Sequence, residues 1–147
     1  MEELLDALEQ AYTRYRQDIE TYERKSKPTD GLLGFGRSLK DDACHERFDE
    51  RIAEAVSAIC GAKPAPEAAE SAVRALIARE DTDTWPIAAQ WMLRAVERHS
   101  MPLLAYLSPE AANALSRQYA SRYKPWDRLP AQKQVLKALK AAGKEKP

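Results

Sequence analysis

Glycine is scarce in this chain, with five residues in 147. No Asn-Gly turn joins two alternating β-branched runs, so a hairpin or sheet has no local signal. Long apolar runs are missing too. No window approaches the ~20 apolar residues that span a bilayer, and the start, MEELLDALEQ, is acidic where a secretory signal is basic. Cysteine is limited to Cys44 and Cys60. Carried on one helix they stand about 24 Å apart at ~1.5 Å per residue, far beyond the ~7 Å reach of a disulfide. Two unpaired thiols fit a reducing compartment, so a cytoplasmic location is expected. Net charge is absent as well: 23 basic side chains balance 23 acidic ones. Nucleophile-elbow, zinc and kinase motifs are missing. The expectation is a protein without catalytic activity and without a cofactor.

What is present favours helix. Alanine, leucine, glutamate, arginine and lysine dominate. A chain of this length suits one domain, which buries about 68–70% of its unfolded surface and needs no staple. The spacing predicts an all-α fold, an irregular bundle of six or seven helices with a long amphipathic helix at its N-terminus. That first helix covers Glu2 to about Lys25. Met1, Leu5, Leu8, Tyr12, Tyr15, Ile19 and Tyr22 recur every four and three residues, a heptad stripe. Pro28 and the Asp30-Gly31 pair then end it.

A second helix is expected from about Leu39 to Cys60, opened by Ser38 and Asp41 in a capping-box variant. Cys44, Phe48, Ile52, Ala55, Val56 and Ile59 form its inner face, and Gly61 suits the left-handed stop. A third runs from about Pro66 to Arg79 and a fourth from Trp85 to His99. SMPLLAYL reads as a short helix or turn. Ser108, Pro109 and Glu110 open another helix as cap, first helical residue and dipole partner. KPWDRLP breaks it, and the last helix covers about Pro130 to Ala142. The organisation is thus a single domain: the N-terminal helix at 1–25, a Gly-rich link at 26–38, a helical body at 39–142 and a frayed tail at 143–147. AAESAVR, AAQWMLR and AANALSR share A-A-x-x-x-x-R at offsets of 20 and 23, which match no solenoid period.

Four constellations carry the candidate chemistry. GLLGFG at 31–36 precedes a helix start, where free amides attract phosphate. It lacks the G-K-[ST] that follows a nucleotide-binding loop, and Asp41 and Asp42 already face the amides. It reads as a tight link whose Leu32, Leu33 and Phe35 tuck into the core, or form a partner patch if exposed. Asp42, His45 and Asp49 share one side of a helix. They are candidate metal ligands, but one helix cannot enclose a metal. The chain's other histidine, His99, is expected near a helix end, where it complements the dipole. The plainer expectation for His45 is a hydrogen bond to Asp42 or Asp49, and Cys44 reads as core.

Charge divides the chain. Residues 108–147 hold nine Lys/Arg and three acids, a net +6 against −6 for the rest. Lys133, Lys137, Lys140 and Lys144 line one face of the last helix, with Tyr119, Tyr123 and Trp126 nearby. A basic face with aromatics can grip phosphates and stack bases, which makes a nucleic-acid-binding accessory protein the second functional reading. The first is a protein–protein interaction or regulatory module. It meets a partner, or a second copy of the chain, through Leu5, Leu8, Tyr12, Tyr15, Ile19 and Tyr22 of the heptad stripe, with Leu32, Leu33 and Phe35 behind. A metal or small-ligand site near His45 is the third, and no membrane is expected as partner.

Overall fold

The heptad stripe decides where the first helix goes. In the computed structural model, which describes residues 1–25, 43–80 and 86–144, without the side chains of 22–25, 86 and 87, helix α1 spans Glu2–Lys25. Leu8, Ala11, Tyr12, Tyr15 and Ile19 are all buried. They pack against α2 (Cys44–Gly61), which answers with Cys44, Phe48, Ile52, Ala55, Val56 and Ile59. The two helices are antiparallel: Asp18 near the end of α1 meets Arg47 and Arg51 near the start of α2, at 3.8 and 3.4 Å. Tyr15 stacks flat on Phe48, ring centroids 4.1 Å apart. Tyr12 tilts against the same ring at 5.4 Å.

Helix α3 (Pro66–Ala78) starts on a proline, whose missing N–H is tolerated in the first turn. It lays Ala69, Ala72, Val73 and Leu76 onto α4 (Pro86–Leu104). Helix α4 is the axis of the bundle, packing on α2, α3 and α6. Helix α5 (Pro109–Ser121) begins where Ser108 accepts the Ala111 N–H at 3.1 Å. Its last turn is held by Arg128, which donates to the carbonyls of Ala120 and Tyr123. A 3-10 turn, Pro125–Asp127, leads to α6 (Pro130–Ala142). There the Gln132 side chain reaches back to accept the Leu129 N–H at 2.8 Å. Helices α5 and α6 pack as a pair, with Val135, Leu136 and Leu139 turned inward. All regular structure among the described residues is helical, in six α-helices.

Two boundaries differ from expectation, and the expected start of a third lies outside the described residues. The described part of α2 begins at Cys44, with Ala43 as its cap residue; the Ser38–Asp41 signal and the link at 26–38 lie outside the described residues. The left-handed residue after α2 is Lys63, at φ 51°, while Gly61 stays helical. Helix α4 continues through Pro102 to Leu104 and takes in the first part of SMPLLAYL, the segment expected to be a short helix or turn. An internal proline costs about 3 kcal/mol. Leu103 and Leu104 beyond it are buried, and each gains ~1.5–3 kcal/mol by leaving water, enough to carry the helix onward. Gly143, expected in a frayed tail, is also buried, and its carbonyl accepts the Asn113 side-chain amide at 3.0 Å.

Candidate functional site

Burial of the α1 stripe settles which surfaces are open. Leu8, Tyr12, Tyr15 and Ile19 are at most 3% exposed, and Leu5 is half-buried against the same core. The face offered by these residues is therefore covered by α2 within the chain. The side chain of Tyr22, and Leu32, Leu33 and Phe35, lie outside the described residues.

His45 is not a boundary residue. It is 1% exposed, and its Nδ1 shares a 2.6 Å hydrogen bond with the Tyr15 hydroxyl. Its ring lies parallel to that of Trp91, centroids 5.7 Å apart, and edge-on to Tyr15. Cys44 Sγ stands 3.9 Å from the same Nδ1. The partner of His45 on α1 is thus a phenol rather than the carboxylate of Asp49. Asp49 turns instead to α4, where it bonds His99 Nε2 at 2.9 Å and approaches Arg98 at 3.8 Å. His99 sits inside α4, not at its end, because α4 runs on to Leu104. The Asp42/His45/Asp49 face is therefore divided: His45 inward, Asp49 toward α4, and Asp42 outside the described residues. Among the described residues no three His, Cys, Asp or Glu groups converge on one point.

A buried carboxylate that sequence reasoning passed over ties three elements together. Glu80 follows the end of α3 and is 8% exposed. Its Oε2 accepts the Tyr119 hydroxyl at 2.9 Å. Its Oε1 accepts the Tyr123 hydroxyl and the Gln132 amide, both at 2.7 Å. A carboxylate has about four acceptor positions, and three are filled by neutral donors from α5, its C-terminal turn and α6. Burial, then the negative carboxylate beside it, pushes the Tyr119 hydroxyl well above the ordinary phenol range. The same causes push Tyr123 up to about 12. Both phenols therefore stay protonated and keep donating. The one legible trace was the four-residue spacing of Tyr119 and Tyr123, which puts both on one helix face.

The basic C-terminal face is where exposure and charge coincide. Lys133, Lys137 and Lys140 are exposed on the side of α6 turned away from Val135, Leu136 and Leu139, and exposed Lys144 follows two residues after its end. None of the four forms an ion pair among the described residues. Trp126, in the 3-10 turn just before α6, is 76% exposed, with the Lys124 ammonium 5.6 Å above its ring. Leu129 beside it is exposed as well. Tyr119 and Tyr123 do not join this face, since Glu80 holds their hydroxyls, and among the described residues Trp126 is the exposed aromatic ring there. No helix of the described residues is long and apolar enough to cross a membrane. No protein-family model, curated protein or solved structure matches the chain.

Proposed function

We propose that this chain is a binding module, acting without catalysis or cofactor, that docks single-stranded nucleic acid on the outer face of α6. The observation that carries this reading is Trp126, 76% exposed just before a row of four lysines that form no ion pair among the described residues. An exposed indole costs hydration and gives nothing to the core. Stacked on an unpaired base, such a ring contributes ~1–3 kcal/mol. Lys133 to Lys140 span about 10 Å along the helix at ~1.5 Å per residue, and Lys144 follows just beyond its end. That length covers about three phosphates at the ~3.4 Å axial spacing of one strand of a duplex, and Lys144 adds a further cation. Lys124, already over the indole, adds a fifth cation at the stacking position.

The test is fluorescence anisotropy with a labelled single strand of ~16 nucleotides, the upper end of one such site. Trp126→Ala is expected to weaken binding by roughly 5- to 150-fold, the equivalent of ~1–3 kcal/mol. Changing Lys133, Lys137, Lys140 and Lys144 together to glutamine is expected to abolish it. A wild-type protein that does not bind, or variants that bind like wild type, would sink the reading.

A protein partner or a second copy of the chain is the second reading. Exposed Leu129 beside Trp126 favours it, since two adjacent apolar groups make a patch that water does not stabilise. Its surface is then this turn rather than the α1 stripe. Light scattering over about a hundredfold range of concentration distinguishes a self-association driven by mass action from a constant monomer mass.

A further inference from the structure

The cluster around Glu80 borders a cavity. About 190 Å³ of space lies between α4 and the start of α6, lined by Glu80, Tyr123 and Gln132 together with Ala89, Leu93 and Leu129. The first three are already bonded to one another. Glu80 Oε1 accepts the Tyr123 hydroxyl and the Gln132 amide, both at 2.7 Å, and these three residues form the polar end. Ala89 and Leu93 stand one helical turn apart on α4, so they share a face. With Leu129 they supply the apolar wall. Leu129 is 51% exposed and stands at the solvent side. The site is distinct from the lysine face of α6, because Gln132 is buried where Lys133, Lys137 and Lys140 are exposed.

We propose that this cavity binds a small primary amine, free in solution, with its ammonium on the Glu80 carboxylate and its apolar body against Ala89, Leu93 and Leu129. Charge is the first reason. A buried carboxylate is ordinarily paired with a cation. Glu80 is 8% exposed, its three partners are neutral donors, and it forms no ion pair among the described residues. Arg122, over the rings of Tyr119 and Tyr123 at 5.6 and 5.3 Å, donates to the Ile77 carbonyl instead. Among the described residues the lining holds this one carboxylate and no cation. Acceptor capacity is the second reason. Oε1 takes two donors and Oε2 takes one, the Tyr119 hydroxyl, so of about four acceptor positions one on Oε2 is left for a ligand. Preorganisation is the third. Bonds from α5, its C-terminal turn and α6 hold the carboxylate in one orientation, and little freedom is lost on binding. Size then limits the ligand. The cavity has room for about six waters at ~30 Å³ each, below the ~300 Å³ where drug-sized sites begin. An amine of a few carbons fits, and a segment of a macromolecule does not.

The probe is 3-methylbutylamine, titrated into the full chain near neutral pH and followed by nuclear magnetic resonance. The Gln132 side-chain amide and the Leu129 backbone amide are expected to shift saturably. The controls are 3-methylbutanol, which lacks the charge, 3-methylbutanoate, which reverses it, and methylamine, which lacks the body. Each is expected to bind about tenfold or more weakly, the scale of one hydrogen bond to a charged group. Glu80→Gln keeps the shape and removes the charge, and is expected to weaken the amine by a similar factor, with circular dichroism confirming that the variant is folded. Leu129→Ala trims an exposed side chain, and is expected to weaken the amine several-fold while the melting temperature stays near that of wild type. The amide of Nα-acetyl-lysine carries the same ammonium on a peptide backbone too large for the cavity, and is expected to bind more weakly than the free amine. The absence of a saturable shift, equal binding of 3-methylbutanol or of the lysine derivative, or undiminished binding by folded Glu80→Gln would overturn the proposal.

Discussion

Glu80→Ala is the substitution with the largest expected cost for a residue outside the apolar core. Three donors converge on this carboxylate from positions 39 to 52 residues away. A hydrogen bond to a charged group contributes ~1.5–3 kcal/mol, so simple addition gives about 4.5–9 kcal/mol. That sum is too large, because the three bonds share one acceptor and are not additive. Dehydrating the carboxylate also offsets part of the gain. Deleting the acid leaves the buried Tyr119 hydroxyl and the buried Gln132 amide without their acceptor, and a loss of ~3–5 kcal/mol follows for such broken buried networks. Against a domain stability of ~5–15 kcal/mol, the variant still folds but unfolds at much lower urea. Urea unfolding followed by circular dichroism measures the shift in midpoint at constant m-value. Glu80→Gln keeps the shape and one acceptor and is expected to lose ~1–3 kcal/mol. A Glu80→Ala loss below about 1 kcal/mol, the scale of an ordinary surface substitution, would refute the view that this cluster clamps α3, α5 and α6 together.

Further outcomes follow from single groups. The Tyr12 hydroxyl is buried with no hydrogen-bond partner among the described residues, so Tyr12→Phe is expected to raise stability by ~1 kcal/mol. Tyr15→Phe, which breaks the bond to His45, lowers it by a similar amount, and paired urea curves check both signs. Burial raises Tyr119 above the ordinary phenol range and Tyr123 to about 12. The unfolded chain releases these protons near pH 10 while the folded chain keeps them, so stability is full below pH 10 and falls as pH climbs toward 12. Urea midpoints at stepped pH check this, and Tyr119→Phe flattens the decline. Gly61 is helical, and a Cβ there meets nothing within 4 Å. Gly61→Ala therefore gains ~0.4–1 kcal/mol by narrowing the unfolded ensemble, read as a higher melting temperature.

Periodic elements were legible in the sequence because their signal is local. The bounds of α1, Glu2–Lys25, follow from the stripe and the breaker after it, and the start of α5 follows from Ser108 and Pro109. Where tertiary packing overrides local preference, the sequence misleads. The fourth helix is expected to end at His99, yet the burial of Leu103 and Leu104 carries α4 on through Pro102. Gly61 reads as the left-handed residue, yet Lys63 takes that conformation. The stripe itself says that a face is apolar but not what covers it; α2 does, within the same chain. His45 looked like a boundary residue because its partner Tyr15 lies on another helix. Glu80 gave no signal at all, since an acid next to a polar link reads as solvated until the fold brings two tyrosines and a glutamine to it. The lysine face of α6 was legible throughout, because side chains turned to solvent keep their helical spacing whatever the topology.

The most direct test of the functional account is the salt dependence of single-strand binding. Four lysines on four phosphates predict a slope of log affinity against log salt of about −2.8, at ~0.7 per contact, and Lys137→Gln alone should shift that slope by ~0.7. Binding that ignores salt, or a slope unmoved by Lys137→Gln, would contradict the assignment of the α6 face as the phosphate contact.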